Sequence, residues 1–224
     1  MKFKSLAELK AFFNERVILY KTWDPKKTKP VDVIFKEIQD ETSRIVVDGK
    51  KVIRITVSTV VDVCCFLTDT TTHILEEMEH KFGAGHITER ETVHSASKKM
   101  RPKDKPADVV KNCLRDKLGF EEPFIFLNRQ PAELPLVCAR RHLRQSKSLT
   151  GSNLIIEVSP YEIKDESPES CPGLPTQRKM FYYLCVIPRS RQILPEFKHR
   201  YEGKITRYEW RILTEDRHPA LFIR

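Results

Sequence analysis

Apolar positions recur at helical spacing near the start of the chain. Leu6, Leu9, Phe12 and Phe13 form one face, behind Ser5 with Glu8 three residues on, a capping box. The pattern predicts a short amphipathic helix over 5–15, expected to pack back on the domain rather than serve as a docking arm. Trp23 to Pro30 is polar and holds two prolines, which predicts a linker or surface loop. From Ile45 the period changes. Ile45–Val47, a turn at Asp48–Gly49, and a long β-branched run from Val52 to Phe66 read as a hairpin entering a long strand. Residues 73–82 and 86–94 flank Gly83-Ala84-Gly85 as a second hairpin with polar and charged arms, so at least one face is expected in water. A basic loop over 98–105 precedes a helix over 106–118, with Pro106 suited to its first turn and Gly119 to the position after its end. Beyond Phe124–Phe126 the signals are few until strand-like runs return at 154–158, 180–187 and 205–213. Strands before and after a central helix predict an α/β domain with a mixed sheet over 45–213, with residues 1–40 as N-terminal helix and linker and 41–224 as the domain proper.

Composition narrows the class. Of 224 residues, 40% are hydrophobic and 32% charged, the balance of a globular chain. The apolar run Val57–Leu67 is broken by Ser58, Thr59 and Asp62 and is too short to span a membrane, so no membrane partner is expected. The first sixteen residues lack the continuous apolar core of a signal peptide. Six cysteines without a C-x-x-C pair read as buried thiols of a reducing compartment. The expected location is therefore intracellular, in the cytoplasm or an organellar matrix. A net charge of +9 permits an anionic partner without requiring one.

The segment Ser95–Phe120 resembles the Nudix box. Anchored on Gly119, the alignment puts Phe120 and Leu114 on apolar box positions, Asp116 on the first of the paired glutamates and Asp104 on the isolated upstream one. It departs where the box has its other key residues. Lys98 replaces the opening glycine, Asn112 the arginine, Cys113 the glutamate beside it and Lys117 the second paired glutamate. Downstream, Glu166–Thr176 is similar to an E-S-x-S-x-P-G-L-x-T segment of plant and algal Nudix-like proteins. The resemblance implies a Nudix-like α/β/α sandwich with a mixed β-sheet, of a family that hydrolyses nucleoside diphosphate derivatives with Mg²⁺ or Mn²⁺.

The substitutions decide what such a domain would do. Magnesium wants several oxygen ligands in octahedral array, and a helix presents them at i, i+3 and i+4. Here those positions are Cys113, Asp116 and Lys117: one carboxylate, a thiol and a cation. The expectation is a non-catalytic protein with no metal and no cofactor, binding a nucleotide-like or other phosphorylated small molecule, or a protein partner. A divergent Mg²⁺-dependent hydrolase using Asp104, Asp116 and glutamates among Glu76, Glu77, Glu79, Glu89 and Glu91 is the first alternative, although charges on a two-stranded arm more often form a solvated face. An RNA-associated subunit is the second. Lys98, Lys99, Arg101, Lys103 and Lys105, at the entry to the box helix, are the expected anion-binding set; Arg140, Arg141, Arg144 and Lys147 form a second basic cluster. The histidines show no metal-ligand spacing, and no glycine-rich phosphate loop or nucleophile elbow occurs.

Overall fold

A computed structural model describes residues 1–23, 29–66, 71–81, 87–88, 94–130, 133–145, 151–165, 171–187, 196–201, 204–216, 218 and 221. Among the described residues, four α-helices and ten strands make a mixed α/β fold: α1 (Leu6–Glu15), α2 (Val31–Gln39), β1 (Ser43–Asp48), β2 (Lys51–Phe66), β3 (Thr72–Lys81), β4 (Ile87–Thr88), β5 (Ala96–Lys99), α3 (Pro106–Leu118), β6 (Phe124–Leu127), α4 (Pro135–Gln145), β7 (Asn153–Asp165), β8 (Thr176–Val186), β9 (Glu196–Tyr201) and β10 (Lys204–Ile212). The strand path is β6-β7-β8-β2-β3-β10-β9, with β1 and β5 paired to β2 and β4 to β3. β6 and β7 run parallel, while β1/β2, β2/β3, β3/β4, β3/β10 and β9/β10 are antiparallel, so the sheet is mixed. Among the described residues, no helix is long and apolar enough to cross a membrane.

Two compact units share the chain without following it in order. Unit 1 takes Met1–Ser58, Lys99–Lys105 and Pro160–Met180; unit 2 takes Thr59–Lys98, Pro106–Ser159 and Phe181–Arg224. In unit 1, α1 buries Leu9, Phe12 and Phe13 against Ile34 and Ile38 of α2, Ile45 of β1 and Val52 of β2. Ser5 Oγ accepts from Glu8 N at 3.2 Å, as its capping role requires. The loop expected over 23–30 corrects in part: Trp23 is buried, and its indole N–H donates to Pro172 O at 2.8 Å. Residues 24–28 lie outside the described set. Val31, Ile34 and Ile38 then begin the unanticipated α2, spaced i, i+3, i+7 behind Pro30.

In unit 2, Val110, Cys113, Leu114 and Leu118 of α3 pack on Val61, Val63, Cys65, Leu75, Tyr183, Cys185 and Tyr208. The helix spans the residues its pattern predicts, and Gly119 follows at φ +69°, a left-handed conformation that favours glycine. The second helix of this unit, α4, was not anticipated, although Pro135 opens it and Cys138 and Ala139 are buried. β9 was missed as well. The second hairpin is real as the β3/β4 pair, with its turn, Glu89 and Glu91 outside the described residues and nothing described of the Glu79 side chain. Its expected solvated face needs correcting at two positions, because Glu76 and Glu77 are both buried. Neighbouring residues on a strand point to opposite faces, so β3 is covered on both sides there.

Candidate functional site

The box helix does not gather the residues assigned to it into one site. Cys113 is fully buried in the apolar core, and burial pushes its thiol up to about 11. One turn on, Asp116 lies between Lys98 Nζ at 3.4 Å and Arg115 Nε at 3.3 Å. Lys117 donates from its ammonium to Ser97 O, while its own carbonyl accepts from Tyr208 OH at 3.3 Å. Behind Gly119, a Cβ would stand 3.2 Å from the His199 ring, which itself contacts Asp116 O at 3.0 Å. Asp104 belongs to unit 1, where its carboxylate accepts from Arg101 N at 2.7 Å. A magnesium ion does not fit positions 113, 116 and 117: their single carboxylate already has two cations, and the thiol points into the core. Among the described residues, no three His, Cys, Asp or Glu side chains are arranged to hold a metal ion.

The expected anion-binding set is likewise divided. Lys98 is held by Asp116. Arg101 Nε donates to Asp40 O, just past the C-terminus of α2, at 3.2 Å. Lys103 and Lys105 are exposed. Lys99 goes to a different cluster, centred on Glu37 of α2, where Lys29 at 2.7 Å, Arg54 and Lys99 all meet one carboxylate. Burial alone would raise the Glu37 pKa, but Arg54, Lys99 and Lys29 hold it down to about 2. In the second basic cluster, Arg140 stacks 4.4 Å over Phe66 and donates to Thr72 Oγ1 at 3.1 Å. Arg141 forks onto both oxygens of Glu133 at 2.8 and 2.9 Å. Both arginines thus hold structure together. Lys147 lies outside the described residues.

A polar cluster that the sequence did not reveal sits in unit 2. Asp62, fully buried in β2, accepts four hydrogen bonds: from Tyr182 OH, from Ser95 N at 3.3 Å, and from ring nitrogens of His94 at 3.1 Å and His218 at 3.2 Å. Burial disfavours its charge, yet the bonds from His218, His94 and Tyr182 outweigh that and lower its pKa to about 2. The other ring nitrogen of His218 lies 3.2 Å from Glu76 Oε1, and Arg211 Nε stands 3.6 Å from Glu76 Oε2. Burial opposes the His218 imidazolium, but its bonds and charge pairing with Asp62 and then Glu76 win, so its pKa is raised. An acid inside the β-branched run of a long strand was the available signal for Asp62. Nothing in the aperiodic segment around His218 marked it as its partner. His73 is half-buried, His86 lies outside the described residues, and nothing is described of the His80 side chain.

The six cysteines are free and buried. Burial raises the pKa of Cys64 and Cys65, which fits packing rather than thiolate chemistry. Compared with protein-family models, with curated proteins and with solved structures, the chain matches none.

Proposed function

We propose that the chain is a Nudix-like sandwich that binds a phosphorylated, nucleotide-like ligand and does not hydrolyse it. Residue parity supports the layering. α3 packs on odd-numbered residues of β2, β3 and β8, including Val63, Leu75 and Tyr183, whereas Arg140 of α4 engages the even-numbered Phe66 and Thr72. Alternate residues of a strand face opposite sides, so unit 2 carries a helix on each face of its strands.

The state of α3 carries the functional reading. At the three positions where a hydrolase of this type needs acids, one side chain is in the core, one is paired with two cations, and one is an ammonium bound to a backbone carbonyl. Such a helix stabilises the fold and offers no cage for a divalent ion. The hydrolytic alternative draws little from the hairpin, since Glu76 is engaged by His218 and Arg211.

Equilibrium binding of nucleoside diphosphates and of the matching nucleosides, in metal-free buffer, tests the reading. The phosphorylated forms should bind and the nucleosides should not, and added Mg²⁺ or Mn²⁺ should produce no turnover of dinucleotide polyphosphates, nucleotide sugars or ADP-ribose. Metal-dependent turnover that disappears in Asp116→Asn would overturn it.

A further inference from the structure

Unit 1 gathers an excess of positive charge around one half-buried carboxylate. Glu37 is met by Lys29 from the segment ahead of α2, by Arg54 from β2 and by Lys99 from the end of β5. Arg54 is committed: Nε donates to Ser43 Oγ at 3.1 Å, one terminal nitrogen lies 3.4 Å from Cys171 Sγ, and the other donates to Glu37 Oε2. Arg54 and Glu37 therefore form a neutral pair inside the unit. Both lysine ammoniums stand on the remaining oxygen, Oε1. Among the described residues they are two positive charges beyond what Glu37 neutralises. Lys99 Nζ is closed off from solvent, and Glu37 is its one partner among the described residues, which leaves donors of its three N–H groups unanswered. The two lysine side chains are still 28% and 29% exposed, so the cluster opens at the surface along their stems.

We propose that Lys29 and Lys99 form a binding site for a tetrahedral oxoanion of the phosphate class, held between the two ammoniums with the Glu37–Arg54 pair as its floor. The assignment rests on the phosphorylated-ligand reading and gives that reading its site. Two ammoniums on one oxygen repel each other, and an anion relieves the repulsion by joining them. Without one, the relief comes from a proton. Burial first, then the charges of Lys29 and Arg54, against the pull of Glu37, lower the Lys99 pKa to about 7. An anion that favours the ammonium draws a proton back onto Lys99, so binding above neutral pH takes up protons.

Calorimetric titration with inorganic phosphate and with sulfate, at low ionic strength and pH 8, tests the site. Two buffers of different ionisation enthalpy report proton uptake, and sulfate carries no titrating proton of its own in this range. Lys29→Met and Lys99→Met should each weaken binding at least ten-fold, Lys50→Met, at an exposed turn lysine of the same unit, should leave it unchanged, and proton uptake should vanish in Lys99→Met. Lys29 lies outside regular structure, so its variant keeps the test valid if Lys99→Met unfolds. If both variants bind phosphate like the parent, or if the parent binds nucleoside diphosphates but not phosphate or sulfate, this site is wrong and the broader reading survives. If the parent binds none of these anions, both fall.

Discussion

Around Asp62 and around Glu37 the chain buries charge in two different ways. The Asp62 cluster is matched: Asp62 and Glu76 face His218 and Arg211, and every oxygen of Asp62 is taken by donors fixed in the fold. The Glu37 cluster is unmatched, with three cations on one carboxylate. A matched cluster has nothing left to offer a ligand, and its removal should be felt as lost stability. An unmatched one is under internal repulsion and should respond to salt, pH and anions. The two give opposite signatures from the same residue types, and each can be tested for the behaviour expected of the other.

The largest effect should come from putting an acid back where the box would have one. Cys113→Glu would bury an unpaired charge in the core of unit 2, so we expect a loss of more than about 4 kcal/mol in urea denaturation and no gain of Mg²⁺ affinity. Asp62→Ala should follow, at about 3–5 kcal/mol, because it strands buried donors and leaves His218 charged beside Glu76 alone. A loss below about 1 kcal/mol would show that the cluster is not structural.

His218→Gln sharpens the comparison through pH. The folded-state pKa of His218 is raised, so its contribution is complete below the unfolded value near 6.5 and is lost as pH rises through the folded one. The parent should exceed the variant by about 1.5–3 kcal/mol at pH 6, with the gap narrowing at higher pH. Lys99 has the opposite sense. Its folded pKa of about 7 lies below the ordinary lysine value of 10.5, so its charge destabilises the fold below pH 7 and the penalty is relieved as pH rises toward 10.5. Solvent screening at its 29% exposed side chain discounts the full shift, so without added anion the parent should gain on the order of 1–2 kcal/mol over Lys99→Met across that window. The smallest effect belongs to Asp116→Asn, whose partly exposed ion pairs should contribute less than about 1 kcal/mol.

The difference between the clusters also explains what could be read from the chain. Helices α1 and α3 were legible because capping, proline placement and apolar spacing are local signals, and β2 because a β-branched run of that length has few other uses. α2 was present in the pattern at Val31, Ile34 and Ile38 but was hidden by the two prolines before it. α4 was hidden by its arginines, which look like a solvated run until Phe66 and Glu133 are placed beside them. Nothing local records a cluster whose members come from positions 62, 76, 94, 182 and 218. The same holds for Lys29 and Lys99, seventy residues apart. Lys99 was expected to bind an anion with its sequence neighbours, but strand geometry sends Lys98 to Asp116 and Lys99 to Glu37, dividing the run.

His199 has a consequence for how the molecule tolerates its own sheet. The ring lies against Gly119 and the Asp116 carbonyl, which ties β9, the last strand on the path, to the end of α3. A terminal strand offers its backbone to any passing chain, and natural proteins protect such edges with charge. On β9 the residues Lys198, His199 and Arg200 are consecutive, with Lys198 and Arg200 exposed. A second copy approaching to extend the sheet would bring an identical basic strand with it, and like charge opposes such a pairing.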